Sequence, residues 1–214
     1  MSQLLREYVT LLAEKIRSKS DFGFKKKFSF QEFKNLNGIY AAFTYANERL
    51  EKIGEGSSRD VFAFTNRHVL KVATNTPGIE QNLAELEVAT NPSLKNIVAK
   101  IRDYNPSGYW VIMELVRPIN SSEFEKLSGI DSWSYQEILQ INGSSMTPSI
   151  PFEEQVKDYS PETQKWLADV IQVAKSSNLA LGDLYPRSWG KTADGRLVLF
   201  DYGLTRDIYR KHYA

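Results

Sequence analysis

The sequence contains no cysteine and only two histidines, His68 and His212. The lack of thiols excludes a disulfide scaffold, a thiolate metal site and a cysteine nucleophile. Two histidines also exclude a histidine-rich zinc site. No apolar run approaches the roughly 20 residues that span a bilayer, and the first residues lack the basic-then-apolar order of a secretory signal. We therefore expect a soluble cytoplasmic protein that has no membrane partner.

The sequence also lacks an excess of either charge. Its 27 basic and 26 acidic residues leave a net charge of +1, so no bulk electrostatic attraction favours nucleic acid as a partner. With 25% charged and 42% hydrophobic residues, the composition is that of an ordinary globular protein, and 214 residues are enough to bury a core. Function must therefore be inferred from local motifs.

The hydrophobic spacing changes twice along the chain. Residues 3–18 carry apolar side chains at helical spacing, and Ser29 with Glu32 forms a capping-box pattern before a second helical stretch that reaches Phe43. These patterns predict a helical N-terminal extension over residues 1–46.

Short strand-like runs follow the extension. Leu50–Ile53, Val61–Phe64 and His68–Ala73 predict three strands, and a helix over Ile79–Thr90 separates them from two more strands at Ile97–Tyr104 and Tyr109–Leu115.

The second half of the sequence has a different pattern. Residues 121–142 are helical in pattern, and Ser160-Pro161 is a strong helix start with one apolar face after it. Arg196–Phe200 predicts a short buried strand that ends at Asp201. The chain therefore belongs to the α+β class.

Two motifs in the strand-rich half are compatible with phosphate binding. Gly54-Glu55-Gly56 lies between two strands, where paired glycines allow peptide N–H groups to approach phosphate oxygens, although a tight hairpin is the favoured explanation of this motif taken alone. Lys71 lies inside an apolar strand and either faces solvent or pairs with an acid of the next helix. Of the glutamates there, Glu85 is favoured because the apolar Val88 and Ala89 follow it.

Two aspartates of the second half are candidates for chemistry. Asp183 lies in a loop rich in proline and glycine, where a carboxylate can orient a hydroxyl nucleophile or accept its proton. Asp201 follows a buried strand, and a carboxylate there can hold Mg²⁺ together with phosphates. Either residue, taken alone, is also compatible with an ordinary turn.

The order of these motifs resembles that of the protein-kinase-like superfamily, over about residues 50–207. The resemblance implies a two-lobe fold that binds ATP and Mg²⁺. It assigns the glycine-rich loop to Gly54 and Gly56, with Val61 after it, the phosphate-binding lysine to Lys71 and its partner to Glu85. It further assigns the hinge between the lobes to Glu114, the catalytic aspartate to Asp183, and the metal ligands to Asp201 and Ser188.

Several positions depart from the family pattern. Arg59 replaces the third loop glycine; contact of its side chain with a phosphate is one alternative, but we expect it to face solvent. Leu181-Gly182 stands where the family has His-Arg before the catalytic aspartate. That arginine usually binds a phosphorylated activation loop in the family, so we expect this mode of regulation to be absent here. Ser188 stands where the family has an asparagine, which puts the binding of a second metal ion in doubt.

Only 11 residues follow Gly203. We therefore do not expect the helices that hold a peptide substrate in the family, and we expect the N-terminal helices to replace part of their packing.

The resemblance implies three parts: the extension over 1–46, a small lobe over 47–116 and a reduced large lobe over 117–214. The implied function is an ATP- and Mg²⁺-dependent phosphotransferase acting on a protein hydroxyl of the Ser/Thr type. Two alternatives stay open: a catalytically weak binding or regulatory module with a protein partner, and a small-molecule kinase. The closest resemblance is to small kinase-like proteins of tailed bacteriophages, which would place the protein in the host cytoplasm.

Overall fold

The computed structural model describes residues 26–143 and 148–214, so the helix predicted over residues 3–18 lies outside the described part. The described helices are α1 (Phe30–Lys34), α2 (Ile39–Arg49), α3 (Thr76–Thr90), α4 (Ser121–Ser128), α5 (Ser132–Gly143), α6 (Phe152–Val156), α7 (Pro161–Ser176) and α8 (Arg206–His212). The strands are β1 (Lys52–Glu55), β2 (Arg59–Thr65), β3 (His68–Ala73), β4 (Ile101–Tyr104), β5 (Trp110–Glu114), β6 (Arg117–Pro118), β7 (Trp189–Lys191) and β8 (Leu197–Leu199). Short 3₁₀ turns lie at Pro92–Leu94, Leu181–Leu184 and Pro186–Ser188.

A five-stranded sheet with order β1-β2-β3-β5-β4 forms the first half of the fold, and all of its pairs are antiparallel. The predicted third strand, His68–Ala73, matches β3 at both ends. β3 lies at the centre of the sheet and is buried from Val69 to Ala73. Because successive side chains of a strand point to opposite faces, both faces of β3 are therefore buried in apolar surroundings. This burial is what makes a lysine in its middle unusual.

The helices before β1 cover one face of that sheet. Ser29 caps α1 by accepting a hydrogen bond from the Glu32 N–H, as the capping pattern predicts. The Glu32 carboxylate instead accepts from the Tyr45 hydroxyl at 2.6 Å, so the reciprocal half of the box is absent. The helix predicted to run on to Phe43 is broken at Gly38, which has φ +93°.

The packing of α1 and α2 corrects one expectation. Their buried side chains form a separate core with the sheet, made of Phe33, Ala42, Ala46, Leu50, Phe62, Leu70, Val72, Trp110 and Ile112. The described part of the extension therefore covers the five-stranded sheet. It was expected to replace packing of the large lobe, and that expectation is wrong for these residues because their apolar partners are strand residues.

A second, larger core runs from the opposite face of the sheet into the C-terminal half. It joins Val69 and Met113 of the sheet to Leu167 of α7 and Trp189 of the three-stranded β6-β7-β8 sheet. The helical pattern of residues 121–142 forms two helices, because Gly129 adopts φ +76° at the end of α4. Ser160 caps α7 as predicted. The architecture is mixed, with antiparallel sheets and several helices.

Within residues 26–143 and 148–214, the longest apolar helical segments fall short of what a membrane crossing requires.

Candidate functional site

Lys71 is held in a buried ion pair with Glu85. Its Nζ lies 2.7 Å from Oε1 of Glu85, and both residues are almost fully buried, at 5% and 0% exposure. Lys71 lies in the middle of β3 opposite Val61 of β2. Val61 itself is half-buried and packs against the larger core. The acid chosen from the sequence is therefore the one that contacts the lysine.

The other two glutamates of α3 do not contact Lys71. Glu80 accepts hydrogen bonds from Lys211 at 2.6 Å and pairs with His212 at 3.0 Å, which docks α8 on α3. Glu87 is exposed. Glu85 therefore lies on the buried face of α3, and Glu80 and Glu87 lie on its more exposed face.

The segment after β8 brings Asp201 to the same lysine. Lys71 Nζ donates to the Phe200 carbonyl at 2.8 Å and lies 3.8 Å from Oδ1 of Asp201. The next residue, Tyr202, is fully buried and its hydroxyl donates to the Ala99 carbonyl at 2.7 Å, which anchors the strand end. Burial of this phenol raises the pKa of Tyr202 well above its usual value, so it stays a donor.

Arg59 is the site residue whose role the sequence reasoning missed. It was expected to face solvent, but only 8% of it is exposed. Its Nη2 lies 2.7 Å from Oδ1 of Asp201, and its Nη1 lies 2.9 Å from Oε1 of Glu85. The signal was the strand period of two: Arg59 precedes Val61 by two residues and so shares its face of β2.

The backbone of Gly203 makes room for that arginine. A Cβ atom at position 203 would lie 2.6 Å from the Gln81 carbonyl oxygen and 3.1 Å from Nη1 of Arg59. Real side chains essentially never approach a carbonyl oxygen so closely, so the close packing of this segment against α3 requires glycine. The Asp-Tyr-Gly sequence therefore has a steric as well as an electrostatic role.

The charges around Asp201 hold it in its ionised form. Burial raises the pKa of its carboxyl, but the positive charges of Lys71 and Arg59, the hydrogen bond from Arg59 and the charge of Arg187 outweigh this effect. The net pKa of Asp201 therefore lies below its usual value. Its side chain is about half exposed, at 47%, so one side of the carboxylate remains open to solvent.

The turn that contains Gly54 and Gly56 is closed by its own backbone. The Gly56 N–H donates to the Arg59 carbonyl at 2.9 Å, which makes a tight connection between β1 and β2. The Thr74 N–H donates to the Ser58 carbonyl at 2.9 Å and ties the turn to the end of β3. The Gly56 N–H is therefore hydrogen-bonded within the turn, and a phosphate-binding role for the two glycines stays a prediction.

Asp183 and Ser188 lie in the two successive 3₁₀ turns between α7 and β7. The backbone of Asp183 is part of the Leu181–Leu184 turn, and its side chain lies outside the described part of the structure. Ser188 is buried, and its carbonyl accepts from the Phe200 N–H at 3.0 Å, beside Asp201. The Leu184 carbonyl accepts from the Tyr135 hydroxyl at 2.7 Å, so the catalytic-loop candidate is fixed to the core.

Glu114 is the last residue of β5, and its carboxylate forms an ion pair with Arg196. Both of its oxygens accept from Nη2 of Arg196, at 2.8 and 2.9 Å, and its N–H donates to the Lys100 carbonyl at 2.8 Å. This links the last strand of the large sheet to the segment before β8. The hinge role of Glu114 stays a prediction.

The donor set does not fit a resident Mg²⁺ well. Among the side chains that the structure describes, which do not include Asp183, no group of three or more His, Asp or Glu residues converges as a metal site. The nearest oxygen of Asp201 already faces a guanidinium at 2.7 Å, and a cation placed there has to displace or share that contact. The metal roles of Asp201 and Ser188 stay predictions, and in this arrangement Asp201 is paired with Arg59.

Comparisons with known proteins give only distant similarity. No protein-family model matches the sequence, and no curated protein matches it. The chain is similar to a crystal structure of the kinase domain of PknI from Mycobacterium tuberculosis, with 16% identity and a TM-score of 0.39. It is likewise similar to a cysteine-to-alanine mutant of that domain, with 17% identity and a TM-score of 0.40. In each case the match covers 73% of this chain and 60% of the kinase domain's length.

Proposed function

We propose that this chain is a protein-kinase-like phosphotransferase with ATP as its phosphoryl donor. The observation that carries the proposal is the buried Lys71, held at 2.7 Å by Glu85 and at 2.8 Å by the Phe200 carbonyl next to Asp201. Fully buried lysines are rare unless paired, and this one is paired by two segments that are far apart in the sequence. The two-lobe arrangement, with lobes over residues 47–116 and 117–214, belongs to the same proposal.

Each residue of the site has a separate task in this proposal. Lys71 binds the α and β phosphates of ATP, and Glu85 keeps its ammonium in place. The Asp183 carboxylate orients the acceptor hydroxyl and takes its proton while the γ-phosphoryl group moves to that oxygen and ADP leaves. Such chemistry depends on positioning and electrostatics more than on covalent participation by the protein. The proposed acceptor is a serine or threonine hydroxyl of a protein.

The first experiment separates nucleotide binding from phosphoryl transfer. The full chain is tested for a thermal shift with ATP, with and without MgCl₂, and then for transfer of radiolabelled γ-phosphate to proteins of a cell lysate. We expect Asp183→Asn to keep the ATP-induced shift and lose transfer by about 10²-fold or more. We expect Lys71→Met to lose the shift itself.

The outcomes of this experiment separate the alternatives. Label on protein bands supports a protein kinase, and label only in small molecules supports a small-molecule kinase. Equal transfer by wild type and Asp183→Asn removes Asp183 from the mechanism. The absence of any response to ATP contradicts the nucleotide site.

A second candidate is a binding or regulatory module with weak or no catalysis. It is favoured by Arg59, whose guanidinium pairs with Asp201 where the resemblance implies a metal. An ATP-induced shift without any transfer, in wild type and Asp183→Asn alike, is the result that this candidate predicts.

A further inference from the structure

The guanidinium of Arg59 bridges the two acids of the site. Nη1 contacts Oε1 of Glu85 at 2.9 Å and lies 3.4 Å from Oδ1 of Asn82, while Nη2 contacts Oδ1 of Asp201 at 2.7 Å. A guanidinium is planar and carries its donors in a rigid fork, so one side chain serves both carboxylates at fixed geometry. The same fork is well suited to phosphate oxygens.

Among the described side chains of the cluster, the charges are balanced without a metal. Lys71 and Arg59 supply two positive charges, and Glu85 and Asp201 supply two negative charges, all within 4 Å contacts. A divalent cation bound to Oδ1 of Asp201 would lie close to the guanidinium and be repelled by it. A divalent cation at this oxygen is therefore disfavoured, whereas a phosphate that competes with Asp201 for Arg59 is not repelled by the guanidinium.

The open side of Asp201 is where such an anion has access. About half of this side chain is exposed, although the arginine and lysine behind it are buried. Arg187 is exposed, and its charge also contributes to the lowered pKa of Asp201. Among the described side chains, the positive charges of Arg59, Lys71 and Arg187 outnumber the carboxylates of Glu85 and Asp201 by one, which favours a polyphosphate.

Arg59 is held in place by its backbone and its partners. It is the first residue of β2, in register with Ala73, and its carbonyl closes the turn from Gly56. The second carboxylate oxygen of Glu85, Oε2, is buried and accepts no hydrogen bond from the described residues. Withdrawal of Arg59 would leave this buried acid with Lys71 alone as its counter-ion, which opposes any movement that makes room for a metal.

We infer that Arg59 is a built-in counter-ion of Asp201 that takes the place of a divalent cation, so that this site binds a nucleoside triphosphate without metal. Arg59 and Lys71 together contact the phosphates, and the adjacent Asp201 limits how strongly they are held. This inference rests on the proposed function, since it concerns the same nucleotide site.

The test is calorimetric titration of the full chain with ATP in excess EDTA and in excess MgCl₂. We expect the two dissociation constants of the wild type to agree within about threefold. Arg59→Gln should weaken binding in EDTA by about tenfold or more, because a charge-assisted contact to phosphate is lost. Arg102→Gln, on an exposed arginine of β4, is the matched control and should bind as the wild type does.

Asp201→Asn provides a second variant that does not remove a cation. If Asp201 competes with phosphates for Arg59, this variant binds ATP in EDTA at least as tightly as the wild type. If Asp201 is a metal ligand, the variant instead loses affinity in MgCl₂.

Two results overturn the inference and leave the nucleotide site intact: wild-type binding that requires MgCl₂, or unchanged binding by Arg59→Gln in EDTA. No binding of ATP in either buffer overturns both the inference and the proposed function. Binding that survives Lys71→Met in EDTA places the nucleotide at another site and likewise overturns both.

Discussion

Lys71 and Arg59 share one acceptor, the Oε1 atom of Glu85, at 2.7 and 2.9 Å. The two cations lie on adjacent strands, and the acid lies on α3. Glu85 is fully buried, so its charge is stable in the interior only while a cation neutralises it. Because two cations do so, either one can be lost while the other still compensates the acid.

This sharing predicts strong coupling between Lys71 and Arg59 in protein stability. We expect Lys71→Met and Arg59→Met each to lower the free energy of unfolding by about 1–2 kcal/mol, since one cation remains beside Glu85. The double variant should lose about 2 kcal/mol more than the sum, because it leaves a buried carboxylate without a partner. Urea unfolding of the four proteins at neutral pH measures the cycle.

The control for this cycle repeats it in a Glu85→Gln background. Without a buried charge to compensate, the coupling should fall to within about 0.5 kcal/mol of additivity. Additive losses in the original background would show that the two cations do not depend on each other through Glu85.

Gly203→Ala should be destabilising because of steric contact. The added methyl group would lie 2.6 Å from the Gln81 carbonyl oxygen, and backbone atoms on both sides must move, at a cost of about 1–3 kcal/mol. Gly182→Ala is the matched control, since a Cβ atom there has no heavy atom within 4 Å. Thermal or urea unfolding compares the two, and equal stability of both variants would contradict the close packing.

The helices before β1 should contribute strongly to stability. Phe33 is completely buried against the five-stranded sheet, and we expect Phe33→Ala to cost about 3–5 kcal/mol from lost burial and the resulting cavity. Tyr40 is 81% exposed, so Tyr40→Ala should change stability by less than about 0.5 kcal/mol. If urea unfolding shows a small loss for Phe33→Ala, these helices do not share a core with the sheet.

The docking of α8 on α3 should depend on pH through Glu80. Hydrogen bonds from Lys211 and His212 lower the pKa of Glu80 below its usual value. The ionised acid therefore stabilises the fold above its unfolded-state pKa of about 4.3, and this contribution disappears as the pH falls through the lower folded-state pKa.

The variant Glu80→Gln tests this dependence. It should be less stable than the wild type by about 0.5 kcal/mol at neutral pH, as expected for partly exposed ion pairs. The difference should shrink as the pH falls below about 4.3 and through the lower folded-state pKa of Glu80. Urea unfolding from pH 7 to pH 3 measures it, with the exposed Glu87→Gln as the control. A difference that stays constant across this range would rule out the ionised acid as its source.

The sequence by itself determined the elements whose signals are local. The ends of β3 and the start of α7 at Ser160-Pro161 follow from side chains within a few positions, because alternation and capping act over single turns. The contact of Lys71 with Glu85 was also within reach, since a strand and the helix that follows it bring a few defined positions together. The identities of the aspartates were visible as well, although not their surroundings.

Only the tertiary structure decided the position of Arg59. Its contact with Asp201 joins residues 142 positions apart, and it depends on how the segment after β8 packs on α3 at Gly203. The strand period puts Arg59 on the same face of β2 as Val61, but it does not say which charged groups the rest of the chain brings to that face. The burial of that face placed an arginine where the motif order implied a metal, because long-range packing, and not local pattern, determines which charges meet.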